Sequence, residues 1–386
     1  MVNPIRLAFN AAFTAEKYAG YLADLNAHFP GAIEFRVAET PIFIDKAFKD
    51  KMLAACESIV DVIMAPGFDK LTNRALLHEW KVPREDAHTQ FIAFDFGICQ
   101  NAAGELEPQL IEMQGFPTLF GYQILHEAIT RKHFSIPDNY SAYFEPWQAE
   151  NYTELLRQII VGDHQPEEVV LLEIFPHQQK TRIDFYCTAK ALGIPIVCLS
   201  QLEQEGKDLY YVENEKRKKI KRIYNRVIFD ELSQSKDPVI QAKAHLFQAD
   251  LNIEWVPHPH WFYRISKFTL PFIQHAYVPQ TTFLHEAQPW PKDLDNYVLK
   301  PLFSFAGQGV IIDVKREDLE KISDPENWIL QKKVQYADVI QTPDGPAKAE
   351  LRIFYFWPPN APRPFPVFNL ARLSKGKMIG VRYNQD

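Results

Sequence analysis

The spacing of apolar residues changes character along the chain. Residues 11–28 set Phe13, Tyr18, Tyr21, Leu22 and Leu25 on roughly one side, which predicts a helix. A strand-like Ile33-Glu34-Phe35-Arg36-Val37 follows Gly31, and a second helix is predicted near 46–63. The polar stretch 75–90 leads into two short runs rich in aromatic and branched residues, Phe91–Ile98 and Leu110–Gln114. Both read as strands, and the polar connection 100–108, with Gly104 and Pro108, suits a hairpin loop. Helical spacing returns over 119–133.

A new rhythm begins near residue 150. Helical Tyr152–Ile160 precedes Val169–Ile174, a continuous apolar run typical of a strand covered on both faces. Thr181–Leu192 reads as a helix closed by Gly193, and Ile196–Leu199 as another strand, giving one βαβ unit of a small parallel α/β module. Asp208–Val212 and Arg222–Phe229 are further predicted strands. From about Trp255 the chain is rich in β-formers. Strands are predicted at Tyr297–Lys300, Gly309–Val314, Trp328–Val334, Glu350–Trp357, Val367–Ser374 and Met378–Tyr383, with a helix near Arg316–Ile322. The fold class is therefore α+β with an α/β subdomain. Its expected divisions are 1–150, 151–250 and 251–386.

Composition narrows the function. The 386 residues can bury a large core, and 46% hydrophobic with 24% charged residues is ordinary for a globular protein. A net charge of −7 gives no global field favouring nucleic acid or an anionic membrane. Nothing in the sequence approaches the length of a membrane-spanning segment. The apolar start Ile5–Phe13 is followed by Glu16 and Lys17, which makes a poor signal peptide. Cys56, Cys99, Cys187 and Cys198 show no metal or redox spacing, and three lie in apolar runs, as buried thiols of a reducing compartment do. A cytoplasmic protein without nucleic-acid or membrane partners is expected. The basic run Lys216-Arg217-Lys218-Lys219 follows Glu213 and Glu215 and reads as a solvated turn.

Alternation along the predicted hairpin sets Ile92, Phe94, Phe96 and Ile98 on one face and Ala93, Asp95 and Gly97 on the other. On its partner Ile111 and Met113 point one way, while Leu110, Glu112 and Gln114 point the other. Asp95, Glu112 and Gln114 then gather as hard oxygen donors of the kind Mg²⁺ accepts, unless they are only the solvated face of an amphipathic hairpin. Far along the chain, Lys300 ends a strand and is followed by Ser304, Gly307, Gln308 and Gly309 before another apolar run. Glycines let backbone N–H groups turn toward an anion, and the lysine adds positive charge. No Gly-Lys-Ser/Thr is present and no helix follows, so neither the P-loop nor the dinucleotide fingerprint fits; a flap over nucleotide phosphates does. Lys267 lies upstream, and Gln331-Lys332-Lys333-Val334 turns an apolar strand abruptly polar, as a backbone hinge for an adenine edge would. Arg352 and Arg372 fall on neighbouring strands of one predicted sheet.

Taken in this order, the residues resemble a circularly permuted ATP-grasp ligase, closest to the glutathionylspermidine synthase and glutathione synthetase-like group. That group's Arg-Phe-Asp, Glu-x-Asn and Pro-Thr are matched by Ala93-Phe94-Asp95, Glu112-Met113-Gln114 and Pro117-Thr118. Its Lys-Pro-Leu flap is matched by Lys300-Pro301-Leu302 through Gly307 and Gly309, its earlier lysine by Lys267, and its late arginine by Arg372. The Ile223-Tyr224-Asn225-Arg226 run is similar to its inter-domain segment. Ala93 replaces an arginine that contacts the transferring phosphate, so Arg352 or Arg372 must supply that charge. Gln114 replaces asparagine, and no amidase-like domain is present. The resemblance implies an antiparallel nucleotide site beside a small parallel module, ATP and two Mg²⁺ ions as cofactors, and small-molecule acid and amine substrates, a peptide among them. It implies a ligase joining a carboxylate to an amine or thiol through an acylphosphate. Two alternatives are an ATP-binding homologue without ligase chemistry and a metabolite-binding α/β protein unconnected with ATP.

Overall fold

The computed structural model describes residues 2–76, 80–303, 308–342 and 345–376. Helix α1 (Asn3–Ala12) carries Pro4 in its first turn, where a missing N–H costs no helical bond. Thr14 caps α2 (Ala15–His28) by accepting from the Lys17 N–H at 3.1 Å, so the single helix expected over 11–28 is two. Ile33–Val37 pairs with no strand and bends at Phe35. Asp45 caps α3 (Lys46–Met64), and the short α4 (Phe68–Thr72) follows.

The hairpin forms as expected from β1 (Phe91–Gln100) and β2 (Leu106–Gln114). Next come α5 (Phe120–His133), α6 (Ala149–Ile160) and the parallel unit β3 (Val169–Glu173), α7 (Arg182–Leu192) and β4 (Ile196–Cys198). A three-stranded antiparallel ribbon of β5 (Glu203–Glu205), β6 (Asp208–Glu213) and β7 (Lys216–Ile220) is inserted there. The basic run is therefore a strand, not a turn. Its cations lie against acids: Arg217 meets Glu203 at 3.0 Å and Glu205 at 2.5 Å, Lys218 meets Glu213 at 2.6 Å, and Lys219 meets Asp208 at 2.6 Å. Strand β8 (Arg222–Asn225) stops earlier than expected, because Phe229 already opens α8 (Phe229–Gln234). The helix α9 (Pro238–Lys243) and strand β9 (Glu254–Val256) complete a parallel sheet of order β4-β3-β8-β9.

The last third supplies α10 (Trp261–Arg264), β10 (Thr281–Phe283), β11 (Tyr297–Pro301), α11 (Arg316–Glu320), β12 (Trp328–Lys332), β13 (Lys348–Phe356) and β14 (Phe365–Ser374). Strands β10, β12 and β11 form an antiparallel sheet in that order. Gly309–Val314 is not a strand; only Ile311 bridges, to Leu299. The strand expected at Met378–Tyr383 lies outside the described residues.

The central sheet has the order β14-β13-β1-β2, all antiparallel, so the first third of the chain is hydrogen-bonded to the last. One face of β1 packs Phe94 and Phe96 into a cluster with Met52 and Ile59 of α3. The other packs Phe91 and Ala93 against Phe120, Tyr152 and Phe354. Every β1 residue except Gln100 is buried, so the hairpin has no solvated face there. A bulge opposite Asp95 and Phe96 pairs Asp95 with Glu112 and Phe96 with Leu110, leaving Ile111 as the extra residue. It turns Leu110 into the core and Ile111 toward a cavity, the reverse of strict alternation. The larger buried cluster runs from α3 through β1 to Val170 and Leu172 of the parallel sheet. The mixed architecture of antiparallel sheets beside one parallel sheet matches the expected fold class.

Candidate functional site

Pairing of β1 with β2 and β13 puts Glu112 and Arg352 directly on either side of Asp95, and the next ladder sets Arg372 of β14 opposite Glu350. Asp95 is 1% exposed. Arg352 grips it bidentately, Nε to Oδ1 and Nη2 to Oδ2, both at 2.6 Å, and Arg372 Nη2 adds a bond to Oδ2 at 2.7 Å. Burial pushes the Asp95 carboxyl up, but the two arginines prevail and hold it at about 2, so it is ionised. Arg372 Nη2 also donates to Glu350 Oε2 at 2.8 Å, and the Tyr336 hydroxyl donates to Glu350 Oε1. Gly97 permits this approach, since a Cβ there would lie 2.8 Å from the Tyr336 ring. Burial raises the Glu350 carboxyl, against the pull of Arg372.

Beside this network lies a cavity of about 1660 Å³. Glu112, Gln114, Lys267, Lys300, Arg352 and Arg372 line it, whereas Asp95 does not. Gln114 Nε2 donates to Glu112 Oε1 at 2.8 Å, and Arg352 Nη2 approaches the same oxygen at 3.9 Å. Lys300 leaves the end of β11 and reaches the Ile111 carbonyl at 3.2 Å and Gln331 Oε1 at 2.6 Å. The bulge that expels Ile111 supplies that carbonyl. Desolvation lowers Lys300, with Glu112 and Glu350 acting against it. Lys267 starts a 3-10 turn (Lys267–Phe272) that Ser266 caps, accepting from the Phe268 N–H at 3.2 Å. Desolvation brings Lys267 down to about 8, opposed by Glu112 and Asp230 and assisted by Lys300.

The structure thus brings together Glu112, Gln114, Lys267, Lys300 and Gln331 at the cavity, with Arg352 and Arg372 at its edge. Lys332, Lys333 and Val334 line it too. The backbone N–H groups of Lys332 and Lys333 are already given to the Gln280 and Asn296 carbonyls at 2.8 and 2.7 Å, and Lys333 Nζ turns to Asp313 at 3.2 Å. Among the described residues the Val334 N–H makes no such backbone bond. Gln308 and Gly309 stand apart from the cavity wall, and Gly309 takes φ 73°, a left-handed conformation suited to glycine. Ser304 and Gly307 lie outside the described residues. Sequence reading passed over Glu350 and Tyr336. Glu350 was findable, since it sits two residues before Arg352 on one face of a strand; Tyr336 carried no such signal.

Glu85, His258 and His260 form the one group among the described residues with metal-ligand proximity, their ligand atoms within 4.8 Å of one another. Their lone pairs and protons are already engaged. His260 Nδ1 meets Glu85 Oε2 at 2.9 Å, His258 Nε2 meets the Pro83 carbonyl at 3.1 Å, and Arg264 clamps Glu85.

No family model matches the chain, and no curated protein matches it. Among solved structures the chain is similar to a glutathione synthetase-like effector from Globodera pallida in its apo form. The TM-score is 0.57 at 13% identity, covering 95% of this chain and 96% of that one. At that identity the likeness is one of fold: the architecture is similar to that of a glutathione synthetase-like protein.

Proposed function

We propose that the protein is an ATP- and Mg²⁺-dependent ligase of a circularly permuted ATP-grasp type, resembling the glutathionylspermidine synthase and glutathione synthetase-like group. One observation carries this reading: two half-buried lysines from the last third of the chain and Glu112 from the first line one large cavity, with ionised Asp95 behind Glu112, in a glutathione synthetase-like fold. Lys267 and Lys300 would bind the α- and β-phosphates, whose negative charge would offset the desolvation that lowers both lysines. Val334 and its neighbours would take the adenine edge, and the 304–309 segment would close over the phosphates.

The donor set suits magnesium. Glu112 and Gln114 Oε1, which has no hydrogen bond to a described residue, offer hard oxygens to the cavity, with ionised Asp95 immediately behind. Glu112 and Gln114 would hold Mg²⁺, two ions in this family's pattern, to neutralise phosphate oxygens. Asp95 would join them only if one arginine turned away from it. Ala93 offers no charge, so Arg372 is the group suited to the migrating phosphoryl: its Nε is buried without a partner among the described residues, and it lines the cavity. A substrate carboxylate would attack the γ-phosphorus, releasing ADP and leaving an acylphosphate. An amine or thiol would then displace inorganic phosphate, losing its proton to solvent. The chain's share is alignment and charge neutralisation.

Nucleotide binding without transfer is a second reading, favoured by the double arginine grip on Asp95 and by Ala93. Two measurements decide. A thermal melt with MgATP at a hundredfold its Kd should show about 2.7 kcal/mol of added stability; no shift would remove both readings. ADP release across a panel of acids and amines separates them, and binding without release would leave only the second.

A further inference from the structure

The nucleotide-side groups occupy only part of a cavity of about 1660 Å³, whereas roughly 300–1,000 Å³ encloses a drug-sized ligand. The remaining wall has a different chemistry. Helix α5 forms one side of it and the N-terminal segment 2–43 another. Their rings touch in series, with Phe35 at 5.7 Å from Tyr122, Tyr122 at 5.4 Å from His126, Tyr21 at 5.4 Å from Phe134 and Phe9 at 5.3 Å from Phe134.

Gln123 sits among these rings on α5. It is 4% exposed, it lines the cavity, and its amide makes no hydrogen bond to any described residue. The adjacent Tyr122 hydroxyl is buried without a partner among the described residues. The Gln123 amide is not sealed off but open to the cavity, where a ligand can take the place of solvent on it. The arginines at this end each bond within the chain, Arg6 to neutral oxygens alone. Arg36 meets Glu39 at 2.8 Å, Arg131 is held by Glu127 and the Tyr140 carbonyl, and Arg6 donates to the Thr40 hydroxyl at 2.7 Å. Burial lowers His126 to about 4, which keeps it neutral near pH 7.

We infer that this end of the cavity binds a planar aromatic group with an uncharged hydrogen-bonding edge, a phenol in its simplest form, received by Gln123 among the rings of α5 and the N-terminal segment. As the place of one ligase substrate it rests on the function proposed above; as a binding site it does not.

Calorimetry on the full chain without nucleotide tests it, with tyramine, phenethylamine and n-butylamine as probes. Tyramine should bind about tenfold more tightly than phenethylamine, and n-butylamine not detectably. Gln123→Leu should erase the preference for tyramine, and Gln123→Glu, which keeps an acceptor, should retain part of it. No tyramine binding, equal affinity for the two aromatic amines, or an unchanged preference in Gln123→Leu would each overturn the site. If the leucine variant does not fold, the wild-type ratio still decides. A MgATP melt run in parallel keeps the two proposals apart: a nucleotide shift without tyramine binding refutes only the aromatic site, and the converse refutes only the ligase.

Discussion

Two buried guanidinium–carboxylate networks tie distant parts of this chain together, and they differ in what is left over. In one, Arg264 gives Nε and Nη2 to Glu85 and Nη1 to Thr72 and the Asp69 carbonyl, while His260 closes on the other side. None of its members touches the cavity. The other joins Asp95, Arg352, Arg372 and Glu350 across three strands; three of the four line the cavity, and Arg372 Nε is unmatched among the described residues. Burial and strongly shifted carboxyls are common to both, since Glu85 and Asp95 each sit at about 2. What separates a joint from a candidate site is therefore unused bonding capacity facing open volume.

The largest effect should come from the saturated network. Arg264→Ala leaves the partly buried Glu85 with His260 alone and is expected to cost up to about 3–5 kcal/mol of folding stability, read from the denaturant midpoint. ADP release per folded molecule should stay unchanged; a matching loss of turnover would erase the distinction between the networks. Next, Lys300→Met should lower turnover by about 10²–10³-fold, as removal of a preorganised transition-state donor does, with the melting temperature largely kept. A variant that melts early at full turnover would make Lys300 a structural tether of Gln331 and Ile111 instead.

Arg372→Lys sharpens the contrast further. A lysine keeps the charge but cannot hold Asp95 and Glu350 while presenting a second edge to the cavity, so roughly tenfold lower turnover is expected with little stability change. Smallest is the pH effect. Phosphate binding favours protonated Lys267, and the free protein loses that proton near pH 8. MgATP affinity should therefore fall as pH rises through about 8, by at most about tenfold per pH unit for one proton. An affinity flat from pH 7 to 9.5 would take Lys267 away from the phosphates.

Much of the scaffold was legible in local pattern. The α3 and α5 helices, the β1–β2 hairpin, the β3-α7-β4 unit and most strands of the last third follow from period and punctuation. The misses have physical causes. Ile33–Val37 has strand composition but no partner, Lys216–Ile220 has turn-like charge but acids on the strands beside it, and Gly309–Val314 keeps only one bridge. At the site, alternation put Asp95, Glu112 and Gln114 on one side, but it misplaced Leu110 and Ile111, because a bulge is not encoded in a two-residue period.

The sequence by itself determined which residue types stood at strand ends and turns: acids on an early hairpin, lysines and arginines on late strands, and apolar faces to bury. Local period and residue chemistry suffice for that, since they act within a few positions. Only the tertiary structure decided that β1 would lie against β13, that both oxygens of Asp95 would be claimed by arginines, and that Gln123 would line the cavity without a hydrogen bond to any described residue. Those outcomes depend on pairing between segments some 260 positions apart, as in the Asp95–Arg352 bond, and such pairing is set by which whole faces can be buried together.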